Sequence, residues 1–124
     1  DTYNASPESM LAALNLLDEM DGRKIAVLGD MLELGPYEKQ GHEMVGMRAA
    51  QVSKTLLTLG ARARMIADAA RRAGMKPSHV FEFETPDLIV DWLNKNLTSN
   101  DAVLIKGSHG LRMDRITAAL EVKS

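Results

Sequence analysis

The chain contains no cysteine, which excludes a disulfide framework and any zinc site built on thiolates. That absence is compatible with a cytosolic home. Charge of one sign is also lacking: 15 Lys and Arg stand against 17 Asp and Glu, for a formal net charge of −2. Such a surface offers no basic footprint for nucleic acid or an acidic membrane. No apolar run approaches the ~20 residues that span a bilayer, and no signal peptide is visible. Repeats and low-complexity tracts are missing. So is the Gly-x-x-x-x-Gly-Lys-Ser/Thr spacing of a Walker phosphate loop. His42 and His109 lie far apart in sequence and no carboxylates cluster at zinc spacing, so a metal site built by this chain alone is not expected.

What the chain does have is 124 residues with 45% hydrophobic content, enough for one domain with a real core. Apolar runs alternate with amphipathic ones. Strands are expected at 24–29, 55–59, 80–83 and 102–107. Helices are expected at 38 to about 50, 62–73 ending at Gly74, from Pro86 through Leu93, and 111–121. Strands that alternate with helices imply an α/β fold with a mostly parallel sheet and helices on both faces, a three-layer sandwich. The strands read as nearly continuous apolar runs, as expected when both faces are covered.

The first seven residues, Asp1-Thr2-Tyr3-Asn4-Ala5-Ser6-Pro7, look like a site loop that opens a helix. Ser6 suits the N-cap, Pro7 the first helical position, and Glu8 the positive end of the helix dipole. Met10, Leu11, Leu14 and Leu17 then give an apolar stripe, and the helix should end near Asp21-Gly22. A loop of this kind needs a strand before it, so the chain is expected to be a domain of a larger protein, truncated at its N-terminal edge. On local grounds alone, a simple capped loop is the better reading, since caps are common.

In open parallel sheets, ligands sit at the carboxyl ends of the strands. Three loops should meet there: residues 1–6, Gly29 to Gly35 with Asp30 and Glu33, and Lys106-Gly107-Ser108-His109-Gly110. Gly29-Asp30 could also be an ordinary turn. Lys106-Gly107-Ser108 could bind an anion through amides and an ammonium, or be a solvated turn. Most methionines, Met10 and Met44 among them, read as core filler, whereas Met31 and Met113 fall beside the cleft. Arg62, Arg64, Arg71 and Arg72 read as a solvated helix face.

Taken together and in order, three segments resemble the C-terminal domain of the Mur ligases. They are Asp1 to Pro7 with Ser9-Met10 and Ala12-Ala13-Leu14, then Val27 to Gly35, then Leu104-Ile105-Lys106-Gly107-Ser108. The resemblance covers residues 1 to about 120. The Tyr-Asn-Ala and Glu-Leu-Gly signatures favour the branch that adds D-alanyl-D-alanine to UDP-N-acetylmuramoyl-tripeptide in peptidoglycan synthesis.

The resemblance implies a Rossmann-like closing domain of a three-domain, cytoplasmic, ATP-dependent ligase that works through an acyl phosphate. The missing N-terminal and central domains would be its partners, the central one carrying the phosphate loop and the Mg2+ ligands. This fragment alone would be inactive, needing no cofactor and holding neither catalytic residue nor metal. Asp1 matches the family aspartate at the nucleotide ribose, and Tyr3 and Asn4 sit where the loop faces the nucleotide. Lys106, Ser108 and His109 match positions near the carboxylate of the incoming substrate. Ser6 stands where asparagine is usual, and both cap helices. His109 stands where arginine is usual, leaving a weaker, pH-dependent charge. Two alternatives stay open: a non-catalytic Rossmann-like module that binds a nucleotide or anion, and a sibling ligase that adds a single amino acid.

Overall fold

The computed structural model describes residues 5–108 together with Met113 and Ile116. Four parallel strands, β1 (Arg23–Gly29), β2 (Thr55–Leu59), β3 (Val80–Phe83) and β4 (Asp101–Lys106), form one sheet in the order β3-β2-β1-β4. Helices α1 (Pro7–Asp18), α2 (Glu38–Val52) and α3 (Arg64–Arg72) cover one face, and α4 (Pro86–Asn96) the other. Met113 and Ile116 are helical and pack beside α4. The expected last helix, 111–121, otherwise lies outside the described residues.

Strand periodicity divides the core. Ala26 and Leu28 point toward α1–α3, while Ile25 and Val27 point toward α4, where Leu57, Ile89 and Leu93 join them. All five residues of β2 are buried, which is why that strand carries no alternation. α1 starts as its sequence dictates. The Ser6 hydroxyl accepts the Ser9 N–H at 3.1 Å, and Ser9 Oγ accepts the Ser6 N–H at 3.0 Å, a reciprocal cap.

Three expectations need correction. Met44 is exposed, because the buried face of α2 runs through Gly41, His42, Val45, Gly46 and Ala49. Met31 is core, not cleft, and is fully buried. The arginines of the α3 segment are ion-paired rather than simply solvated. Arg62 meets Glu38 at 2.8 Å, Arg71 meets Glu82 at 2.8 Å, and Arg72 meets Glu43 at 2.8 Å. Their partners lie on α2 and β3, so helical spacing alone does not reveal them.

The amino edge of the sheet is closed by Arg23 and Asp101, which are register partners on β1 and β4. Arg23 Nε and Nη2 each donate to the carboxylate at 2.8 Å, and the Thr98 N–H donates to it at 2.8 Å. The Asp101 side chain is 1% exposed, against 41% for Arg23. The Arg23 hydrogen bonds, helped by the Thr98 amide, hold the Asp101 carboxyl below the ordinary carboxylate range. A carboxyl depressed in the folded state stabilises above its unfolded value of about 3.9 and loses that contribution as pH falls through the lower folded value. Replacing Asp101 with Ala should therefore cost about 2 kcal/mol at neutral pH, moderated by the exposure of Arg23. Urea unfolding followed at Trp92 should show that gap at pH 7 and show it closing as the pH falls below 4. A gap that stays constant down to pH 2 would contradict the assignment.

Candidate functional site

The order β3-β2-β1-β4 contains one reversal. From β1 the chain moves through α2 to β2 and on to β3. It then returns through α4 to pair β4 on the other side of β1. The loops after β1 and β4 thus leave neighbouring strands, one toward α2 and one toward the opposite face. In doubly wound sheets that divergence opens the crevice where ligands bind. Here that reversal is bordered by Gly29 and Asp30 on one side and by Lys106, Gly107 and Ser108 on the other.

The two loops are in contact. A Cβ on Gly107 would lie 2.9 Å from Gly29 Cα, so a side chain at 107 would push the loops apart. The Ser108 N–H donates to the Asp30 carbonyl at 3.0 Å. Ser108 is 1% exposed. Lys106 lies in register with Leu28 on β1, half-buried at the mouth of the crevice. Its ammonium has no hydrogen-bond or ion-pair partner among the described residues.

Asp30 turns inward. Its Oδ1 accepts the Ala63 N–H at 2.7 Å, and its Oδ2 lies 3.7 Å from Arg62 Nη1. The α-helix α3 begins just beyond, at Arg64. The carboxylate supplies the cap, and it sits at the positive end of the helix dipole. Gly60 makes room for it, with φ +108° and a position where a Cβ would run into that carboxylate. The backbone of Asp30 donates to the Leu59 carbonyl at 3.2 Å. The Asp30 carboxylate, at the expected ligand edge, is thus committed to joining loops.

Beyond it, Met31 and Leu34 pack into the core, and the exposed Glu33 between them takes φ +63°. A non-glycine residue there is uncommon and marks a tightly determined loop. Ala5 and the Ser6 cap bring the start of α1 to the same edge, where Pro7 faces Gly41 and Leu34. Asp1, Tyr3, Asn4 and His109 lie outside the described residues. Of the expected site residues, the structure therefore places Lys106 and Ser108.

A family model described as "Mur ligase, glutamate ligase domain" matches residues 1–109. The chain belongs to the Mur ligase family. It is 34% identical to the UDP-N-acetylmuramoyl-tripeptide–D-alanyl-D-alanine ligase of Bacillus subtilis over 123 residues, covering 97% of this chain and 27% of that protein. The ligase of the same name from Escherichia coli is 32% identical, with 98% of this chain and 26% of that protein covered. Among solved structures, the MurF ligase of Thermotoga maritima in complex with ADP superposes with a TM-score of 0.79 at 30% identity, over 100% of this chain and 28% of that one. A MurF of Acinetobacter baumannii superposes with a TM-score of 0.78 at 28% identity, over 97% of this chain and 27% of that one. The chain thus spans about a quarter of the length of these Mur ligase relatives.

Two residues of this Mur ligase edge escape a sequence reading, Arg62 and His42. Arg62 reads as surface, yet it bridges Glu38 and Asp30. In the sequence, His42 reads only as a potential metal ligand. Its place on the apolar face of α2 beside Val45 and Ala49 is the available signal of a buried imidazole that needs partners. No helix among the described residues is long and apolar enough to cross a membrane.

If Asp30 is the joint between the loops, Asp30→Ala should destabilise the chain by about 2–3 kcal/mol, since it orphans the Ala63 amide. Asp30→Asn, which keeps an acceptor, should cost about 1 kcal/mol. Equal losses for both variants in urea titrations would contradict the capping role.

Proposed function

We propose that this chain is the closing domain of a three-domain, ATP-dependent ligase that joins D-alanyl-D-alanine to UDP-N-acetylmuramoyl-tripeptide in the cytoplasm, on the route to peptidoglycan. The observation that carries this reading is Lys106. It is a half-buried ammonium at the strand-order reversal with no acidic partner among the described residues, in a chain 34% identical to a D-alanyl-D-alanine ligase. A cation with no acidic partner among the described residues, placed at that edge, suits the carboxylate of an incoming amino component.

The chemistry divides between domains. The tripeptide carboxylate attacks the γ-phosphate of ATP, giving an acyl phosphate and ADP. The dipeptide amine then attacks the acyl carbon, and the tetrahedral intermediate collapses as the C–O bond to phosphate breaks and the amine loses its proton. An acyl phosphate also hydrolyses, so water must be kept away until the amine is in place. A domain that closes over the nucleotide supplies exclusion and orientation together. In this chain, Asp1 accepts the ribose hydroxyls, with Tyr3 and Asn4 beside the nucleotide. Lys106, Ser108 and His109 receive the carboxylate of the dipeptide. No residue of this chain is assigned to bond making. Among the described residues no cluster of three or more His, Asp or Glu could hold a metal ion. The family resemblance assigns the Mg2+ to the other domains, and no step here depends on it.

The direct test is phosphate release by the full-length protein with ATP, Mg2+ and UDP-N-acetylmuramoyl-tripeptide. Release should require D-alanyl-D-alanine and should not be supported by single amino acids. Release with a single amino acid would move the assignment to a sibling ligase, and folded protein without any amine-dependent release would leave a non-catalytic binding module. Loss of one charge-assisted contact predicts that Lys106→Ala raises KM for the dipeptide by about 10- to 100-fold. Unchanged dipeptide KM would remove Lys106 from the site.

A further inference from the structure

The imidazole of His42 is fully buried in α2, and the ligase chemistry above does not use it. Both ring nitrogens are occupied. Nδ1 lies 2.7 Å from the Glu38 carbonyl, which can only accept, so Nδ1 carries the proton. Nε2 accepts the backbone N–H of Met31 at 3.0 Å. That N–H is one end of the planar Asp30–Met31 peptide. The other end, the Asp30 carbonyl, accepts the Ser108 N–H at 3.0 Å.

The result is a directed chain of hydrogen bonds. Ser108 donates to the Asp30–Met31 peptide, the peptide donates to His42, and His42 donates to Glu38. Every link accepts on one side and donates on the other, so each polarises the next in the same sense. The chain runs from α2 to the loop that carries Lys106 and Ser108.

We propose that His42 is a positioning residue for the 106–108 loop. It sets the tilt of the Asp30–Met31 peptide plane, and the plane sets where Ser108, and with it Lys106, stands. The Asp30 side chain is held separately, by the Ala63 amide and by Arg62, which Glu38 fixes in turn. Removing the imidazole therefore frees the peptide plane and leaves the carboxylate anchored. An apolar side chain of similar volume would leave the Met31 N–H buried without an acceptor, and the peptide would rotate to find one.

The kinetic arm of the test rests on the ligase reading, and the spectroscopic arm does not. In the full-length protein, His42→Leu should raise KM for D-alanyl-D-alanine about tenfold, with kcat and the KM for ATP changed by no more than about twofold. His42→Gln, whose amide oxygen can accept the Met31 N–H, should recover most of the loss. A purely structural histidine would lower Tm without that selectivity. Equal changes for all substrates, or none, in a folded variant would overturn the proposal.

Should the wild-type protein release no dipeptide-dependent phosphate, the ligase reading fails and two measurements decide the inference by themselves. The 15N spectrum of wild-type His42 should show the Nδ1–H form, with scalar coupling from Nε2 to the Met31 amide. Hydrogen exchange at the Ser108 amide should be faster in His42→Leu than in wild type. The opposite tautomer, or an unaltered Ser108 amide, would overturn the proposal. The tautomer measurement needs only wild-type protein, so a variant that fails to fold does not block the test.

Discussion

Asp30 is the joint on which the carboxyl edge depends. Its carboxylate caps α3 through Ala63, its N–H bonds Leu59 at the end of β2, and its carbonyl takes the Ser108 amide beyond β4. One residue thereby fixes the loops that follow three of the four strands. The space it occupies is bounded by Gly60, where any side chain would collide with the carboxylate. A buried carboxylate is costly unless its oxygens are satisfied. Here that cost is offset by an amide at a helix N-terminus and a nearby guanidinium. The same groups that make the charge tolerable also lock the loops together.

The two edges of the sheet have opposite characters. At the amino edge, Arg23, Asp101 and Thr98 close the register of β1 on β4 with a paired, internally satisfied cluster. At the carboxyl edge, the same two strands end in polar loops where the Lys106 ammonium has no partner among the described residues. Register fixed at one end lets the other end be polar and incompletely paired without loosening the fold.

Much of this was legible in the sequence. Short continuous apolar runs alternating with segments of helical spacing mark every described strand and the four described α-helices within a few residues. Ser6-Pro7-Glu8 marked the start of α1, and the Ser6 cap is found there. The strand order was not legible. Ala102 to Ile105 is as apolar as the other strands, and nothing local says that it returns to β1 rather than adding beyond β3. Arg23 and Asp101 encode that return, but the pair can be read only once the strands are known to be neighbours. Lys106 and Ser108 are legible as strand-end residues by their place after the apolar run 102–105 and by resemblance. The inward turn of Asp30 was not, because its partner at Ala63 lies 33 residues away. His42 was missed for a similar reason. Its meaning comes from two backbone groups that only the tertiary fold brings to its ring.

The central claim is that ligands of this Mur ligase domain meet it at the reversal between β1 and β4. Hydrogen–deuterium exchange of the full-length protein, with and without a non-hydrolysable ATP analogue plus D-alanyl-D-alanine, tests that most directly. The account predicts slowed exchange in residues 30–35 and 106–109, with the amino edge around Arg23 and Asp101 unchanged. Slowing confined to the amino edge or to the α2–α3 surface, with the two crevice loops unaffected by saturating ligands, would contradict it.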